Sequence, residues 1–256
     1  EFFHTVVLTG RIKGKPPVSA MLIANPERGK TSIVLEKQCE AILPLTDVTG
    51  KGLQFLCQMS PKTSHFIIAD MGVVMAHSHV AREYFFSILL PMLEEGIRAA
   101  ATPAGFSQTP NGRRAIVGCI TTPQARDNRK WWMQRGIARR MVPFHFEYPM
   151  ALILKIKAEI DKDRTAEFSN AEVLKIPEVS LSVEVKEAET KEIRRISDLR
   201  AIKLEQLGIS LLKNYRLLAK AHAILRTWKN PIVTQDDINF LKRIDPYVDW
   251  KDPAIL

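Results

Sequence analysis

Short apolar runs alternate with helix-period segments along the first 150 residues. Ser19-Ala-Met-Leu-Ile-Ala24 is continuously apolar, preceded by the basic turn Gly10 to Pro17, and reads as a buried strand. Further strands are predicted at Glu40 to Leu45, Phe66 to Asp70, Ala115 to Thr121 and Val142 to Tyr148. Between them, Phe2 to Leu8 and Leu53 to Met59 read as short helices, and Ile33 to Gln38 continues as a helix from the loop before it. From Val80 to Arg98, Phe85, Phe86, Leu89, Leu90 and Leu93 recur at helical spacing, with Pro91 placed to bend that helix and Gly96 to weaken its end. Thr46 to Gly52 and Thr102 to Arg114 read as loops, and Arg135 to Arg140 as a basic helical turn. Strands alternating with helices predict an α/β fold with a mainly parallel sheet covered on both faces.

After Tyr148 the pattern changes. Met150 to Asp161 reads as helix, and Asp161 to Thr190 is charged and interrupted, with Val179 to Val185 alternating as a strand does. Ile196 to Ile244 is helical throughout. Leu211, Leu212, Tyr215, Leu218, Ala219, His222 and Leu225 form one apolar stripe, and Thr234 is an N-cap before Ile238, Phe240, Leu241 and Ile244. The expected organisation is a nucleotide-binding core over 1–150, a connecting segment with a β-hairpin insertion over 151–195, and a helical lid over 196–256.

The chemistry concentrates between the first strand and its helix. Ala24-Asn25-Pro26-Glu27-Arg28-Gly29-Lys30-Thr31-Ser32 fits the relaxed phosphate loop, A-x4-G-K-T, in the strand–loop–helix context that such a loop requires. Gly29 permits the tight turn, successive amides donate to phosphate oxygens, Lys30 neutralises the outer phosphates and the Thr31 hydroxyl holds magnesium. Pro26 removes one amide donor from the loop. Asp70, at the end of a buried strand some forty residues beyond Lys30, is either the partner that holds the magnesium shell or a solvated strand-end carboxylate.

The order phosphate loop, acid-ending strand, leucine-rich helix, polar-ending strand, arginine-bearing turn and helical lid resembles the AAA+ ATPases. The resemblance is nearest the branch containing minichromosome-maintenance helicases and MoxR-type ATPases. Leu89 to Gly96 is similar to the helix after the acid-ending strand in that branch, and Arg216 to Leu225 followed by Val233 to Asp237 is similar to its lid. The resemblance implies ATP and Mg2+ as ligands and a three-layer core with a small helical lid. It also implies assembly into a ring or filament. By position it gives Thr122 the role of a polar sensor and Arg140, or its neighbour Arg139, that of an arginine finger; otherwise the pair is a solvated basic helix end. Arg200 and Arg216 are candidates for a second sensor in the lid. The departure is Met71. The family places glutamate there as the base, and a thioether cannot accept the proton. Glu94 and Glu95 lie far along the next helix, and Glu27 is a displaced alternative. The readings implied are an oligomeric motor or loader acting on DNA, a nucleotide-dependent scaffold with weak hydrolysis, or a protein-remodelling ATPase.

Composition adds three points. The formal charge of +9 favours polyanionic partners, and much of it lies from Arg113 to Arg140. Cys39, Cys57 and Cys119 match neither a zinc pattern nor a disulfide framework, so they read as buried hydrophobes in a reducing cytoplasm. No apolar run approaches the roughly 18 residues that a membrane span requires. Of the remaining features, His77 and His79 read as a polar loop rather than a metal site. Trp131-Trp132 is either a stacking platform for bases or packing. The chain opens on Glu1-Phe-Phe-His4 without an initiator methionine or signal peptide, and is expected to continue a longer protein.

Overall fold

The computed structural model describes residues 1–35, 37–97, 99–102, 105–108, 113–148, 172–204 and 208–250, together with 151, 154, 155 and 158. Five strands form an all-parallel sheet: β1 (Ser19–Ala24), β3 (Ile42–Leu45), β4 (His65–Ile68), β7 (Ala115–Thr121) and β8 (Met141–His145), in the order β3-β4-β7-β1-β8. The register sets Ala24 beside Thr121, and Ser19 beside Met141, so the carboxyl ends of β1 and β7 lie together. Both outer strands carry a proline, Pro44 in β3 and Pro143 in β8, where a missing N–H does least damage to the ladder.

Side chains alternate across the sheet, as the pleat requires. Ala20 and Leu22 of β1, with Val117 and Cys119 of β7, enter a core shared with α1 (Phe2–Leu8), with Val34 of α2 (Lys30–Leu35) and with the carboxy-terminal helices. Met21 and Ile23, with Ile116 and Ile120, face a second core. It is filled by residues of α3 (Gly50–Met59), α4 (Met71–Ala76), α5 (His79–Glu94) and α6 (Thr122–Gln134). Helices thus cover both faces. Gly118 of β7 is required by this packing, because a Cβ there would lie 2.7 Å from Met71 Cγ.

The carboxy-terminal helices are α7 (Glu187–Lys203), α8 (Ile209–Arg226) and α9 (Gln235–Ile244). The apolar stripe of α8 packs against α1 and α9. Thr234 caps α9 in a reciprocal box with Asp237, as the sequence predicts.

Several expectations are corrected. The helix after the loop ends at Leu35, and Lys37–Gln38 is instead a short strand, β2, paired with β9 (Glu172–Val173). Thr102 to Arg114 is not simply loop, since β5 (Ala99–Thr102) and β6 (Gly105–Gln108) form an antiparallel hairpin. Arg135 to Arg140 is a turn following α6, because Gly136 adopts φ +72° and ends the helix. Val179 to Val185 forms only isolated bridges, Leu181 to Ile12 and Glu184 to Ile232. Alternation there reflects side chains meeting the core one at a time, without a ladder. The helical run begins at Glu187, so α7 crosses the expected 195/196 boundary. The reading of Met150 to Asp161 as helix falls largely outside the described residues.

Candidate functional site

The loop from Asn25 to Gly29 joins the carboxyl end of β1 to the amino end of α2. In an open parallel sheet this is the end at which ligands bind. Two of its residues adopt left-handed backbone, Glu27 at φ 61° and Gly29 at φ 70°. For glycine this carries little penalty, whereas a glutamate held there stores roughly 1–2 kcal/mol of strain. Backbone of alternating hand turns successive N–H groups toward one side. Tyr148 closes over the loop, its ring 3.5 Å from where a Cβ on Gly29 would sit.

Lys30 begins α2 with its side chain folded into the loop. Its Nζ donates to the carbonyls of Ala24 at 3.0 Å and Asn25 at 2.9 Å, and only 9% of the residue is exposed. Burial holds the ammonium below the ordinary lysine value, offset in part by the charge of Asp70. Among the described residues no carboxylate lies within ion-pair distance of it. Cys119 lies beneath α2, its thiol pushed up to about 12 by burial and therefore neutral. A buried cation partnered only by carbonyls has most to gain from a polyanion.

Asp70 follows β4 and caps α4, where Oδ1 accepts from the Gly72 amide at 2.8 Å. The Thr31 hydroxyl reaches the carbonyl of Ala69 at 3.5 Å, which brings it beside the Asp70 end of β4. Lys30 and Thr31 therefore lie beside the Asp70 end of β4.

The other expected residues are arranged differently. Thr122 is the first residue of α6, and among the described residues its hydroxyl makes no hydrogen bond. The polar side chain that approaches Gly72, at the start of the helix Asp70 caps, is Gln124. Its Oε1 accepts from the Thr121 hydroxyl at 2.8 Å, and its Nε2 and Asp70 Oδ1 both crowd the space above Gly72. The sequence signal for this was Thr121-Thr-Pro-Gln124, a capping box. Glu147 was also missed. It follows β8 and its Oε1 accepts from Asn25 Nδ2 at 2.7 Å, which brings a carboxylate to the loop. No local pattern marks it.

Arg140 precedes β8 and so lies at the amino end of the sheet, opposite the loop. It donates to Glu94 Oε2 at 2.7 Å and to the Gly136 carbonyl at 2.9 Å. Arg200 forms a bidentate pair with Asp245, which also accepts from the Tyr215 hydroxyl, and so serves the helical bundle. Arg216 is exposed on α8. Met71 is 1% exposed and packs on Gly118 in the core. His77 pairs with Asp47, and His79 with Glu83. Trp132 is fully buried against Trp250, and Trp131 lies between Phe86 and the guanidinium groups of Arg82 and Arg135. Neither ring is a free stacking platform.

No protein-family model matches this chain, and neither does any curated protein. The class defined by the coordinates is an α/β protein with a five-stranded, all-parallel sheet. No helix among the described residues is long and apolar enough to cross a membrane.

Proposed function

We propose that the chain binds a nucleoside triphosphate with magnesium through the loop Ala24 to Ser32, and that it is the nucleotide-binding unit of an AAA+-like ATPase. The observation that carries this reading is the buried Lys30 ammonium, held on the carbonyls of Ala24 and Asn25 beneath a loop containing two left-handed residues. The residues fit the ligand. Lys30 turns from those carbonyls to the outer phosphates, and the loop amides donate to the remaining oxygens. The Thr31 hydroxyl and the Asp70 carboxylate hold magnesium, whose charge, when bound, offsets that developing on the phosphates. Gln124 is held by the Thr121 hydroxyl, and its amide nitrogen and Asp70 Oδ1 both border Gly72.

Arg140 is too far from the loop of its own chain to serve it. With a rise of about 3.3 Å per residue, β8 alone separates them by roughly 16 Å. As a finger it acts only across a subunit boundary, in a ring or filament, after leaving Glu94. An assembly of this kind acting on DNA is the function we favour.

Met71 supports a second reading, a nucleotide-dependent scaffold. The residue after Asp70 is a core thioether, 1% exposed, in the place where a base is needed. Glu147, bonded to Asn25, is the carboxylate best placed to orient water if turnover occurs. Measuring phosphate release decides between them. A motor predicts turnover that Lys30→Ala and Arg140→Ala each reduce at least a hundredfold and Glu147→Gln at least tenfold. A scaffold predicts nucleotide binding with no release above background.

A further inference from the structure

A cleft of about 610 Å³ opens at the end of the sheet opposite the phosphate loop. Lys15, which precedes β1, and Arg113, which precedes β7, form one side. Lys213, Arg216 and Lys220 come from α8. Their spacing of three and four residues puts them on one helical face, away from the apolar stripe that packs on α1. Five cations thus converge where only one carboxylate, Glu94, lines the wall, and Glu94 is already paired with Arg140 at 2.7 Å. Among the described residues none of the five enters an ion pair.

Like charges gathered without counter-charge repel one another, and the strain is visible at Lys220. Burial first, then the charges of Lys15 and Arg216, hold its ammonium below the ordinary lysine value. The cleft is also not closed. A second cavity of about 670 Å³ adjoins it and shares Lys15 and Arg113, so the basic surface continues as a groove. The second lobe adds Arg11, Lys62 and Arg114 with the carboxylate of Glu95, and Arg11 and Lys62 both pair with Glu40.

We propose that this groove holds the sugar–phosphate backbone of a nucleic acid strand, with Lys15, Arg113, Lys213, Arg216 and Lys220 as its phosphate contacts. No aromatic ring lines the cleft among the described residues, so the groove grips backbone and does not stack bases. The two cavities, of about 610 and 670 Å³, give more room than a single triphosphate needs. An acidic peptide fits less well, because the apolar lining is limited to Pro16, Val185 and the buried Leu217, with no aromatic ring among them. The net charge of +9 agrees with a polyanionic partner. The basic run Arg113 to Arg140 does not act as one surface, for Arg135 and Arg140 are spent on Glu83 and Glu94. The proposal rests on the reading of the chain as acting on nucleic acid, and not on nucleotide binding at Lys30.

The test is the anisotropy of labelled oligo-dT and of a mixed-sequence strand, without nucleotide, from low to high KCl. Lys213→Gln combined with Lys220→Gln is expected to weaken both strands at least tenfold. It should also lower the slope of log affinity against log salt by about 1.4, at about 0.7 per phosphate contact on single strands. Arginine at both positions should restore binding, and Arg126→Gln with Lys130→Gln, on exposed α6, should change it less than threefold. Lys30→Ala should follow the wild-type curve. A wild type that binds the strands but no Mg-ATP supports the groove while removing the nucleotide reading. Unchanged affinity in the double variant with unaltered melting overturns the proposal. So does displacement of the strand by polyglutamate at equal charge, or by tripolyphosphate from the Lys30→Ala protein.

Discussion

Met71 occupies the position where a base is most needed, yet the structure gives it to the core. Its side chain fills the space above Gly118, so a carboxylate introduced there meets Met21 and β7 before it meets solvent. Met71→Glu is therefore expected not to create a catalytic acid. Placing a charge in that apolar pocket should destabilise the fold by about 3–5 kcal/mol. Denaturant titration measures this directly; a variant as stable as wild type with accelerated phosphate release would show that the side chain turns toward the loop. Glu27 makes the complementary point. Its left-handed backbone stores strain in the loop, so Glu27→Gly should raise stability by a few tenths to about 1 kcal/mol in the same titration.

Among the elements, α8 and α9 are joined by a buried carboxylate. Asp237 accepts from His222 Nδ1 at 2.6 Å, from Arg226 Nη2 at 2.6 Å and from the Thr234 amide at 2.8 Å. Burial alone would raise its pKa, but the hydrogen bonds from His222 and Arg226 bring it below the ordinary aspartate value. Asp237→Ala leaves His222, Arg226 and the Thr234 amide without their shared acceptor and should cost about 3–5 kcal/mol; Thr234→Ala, which removes only the cap, should cost about 1 kcal/mol. Equal losses in thermal unfolding would contradict this ordering. The sequence displayed these elements because each carries its own local pattern: the run Ser19 to Ala24, the stripe of α8 and the cap at Thr234. It hid what depends on distant partners. The β2–β9 pairing joins residues about 135 positions apart, the helix α6 has too few apolar positions to show a period, and Gln124 and Glu147 gain meaning only when strand ends meet. At the site, the loop and Asp70 were legible from type and spacing, whereas the fate of Arg140 and Arg200 depended on the carboxylates the fold brought to them.

For the whole molecule, acid sensitivity has an identifiable source in His65, at the start of β4. The residue is completely buried, with Nε2 at 3.1 Å from the Val18 carbonyl and Nδ1 at 2.9 Å from the Ser64 hydroxyl. Burial lowers its pKa to about 4, from 6.5. The folded state thus stays neutral where the unfolded chain binds a proton. Its contribution to stability is complete above pH 6.5 and is lost, at up to about 1.4 kcal/mol per pH unit, as pH falls toward 4. The difference in stability between wild type and His65→Gln should shrink on acidification through this window. A constant difference would contradict a buried neutral imidazole.

The buried Lys30 ammonium, with Thr31 and the Asp70 end of β4 beside it, acquires a purpose if the loop holds a triphosphate. Calorimetric titration of the intact chain with Mg-ATP measures that claim most directly. The account predicts saturable binding at one site per chain, weakened at least a hundredfold by Lys30→Ala with the melting temperature unchanged. No association at millimolar Mg-ATP, or equal affinity in the two proteins, would contradict it.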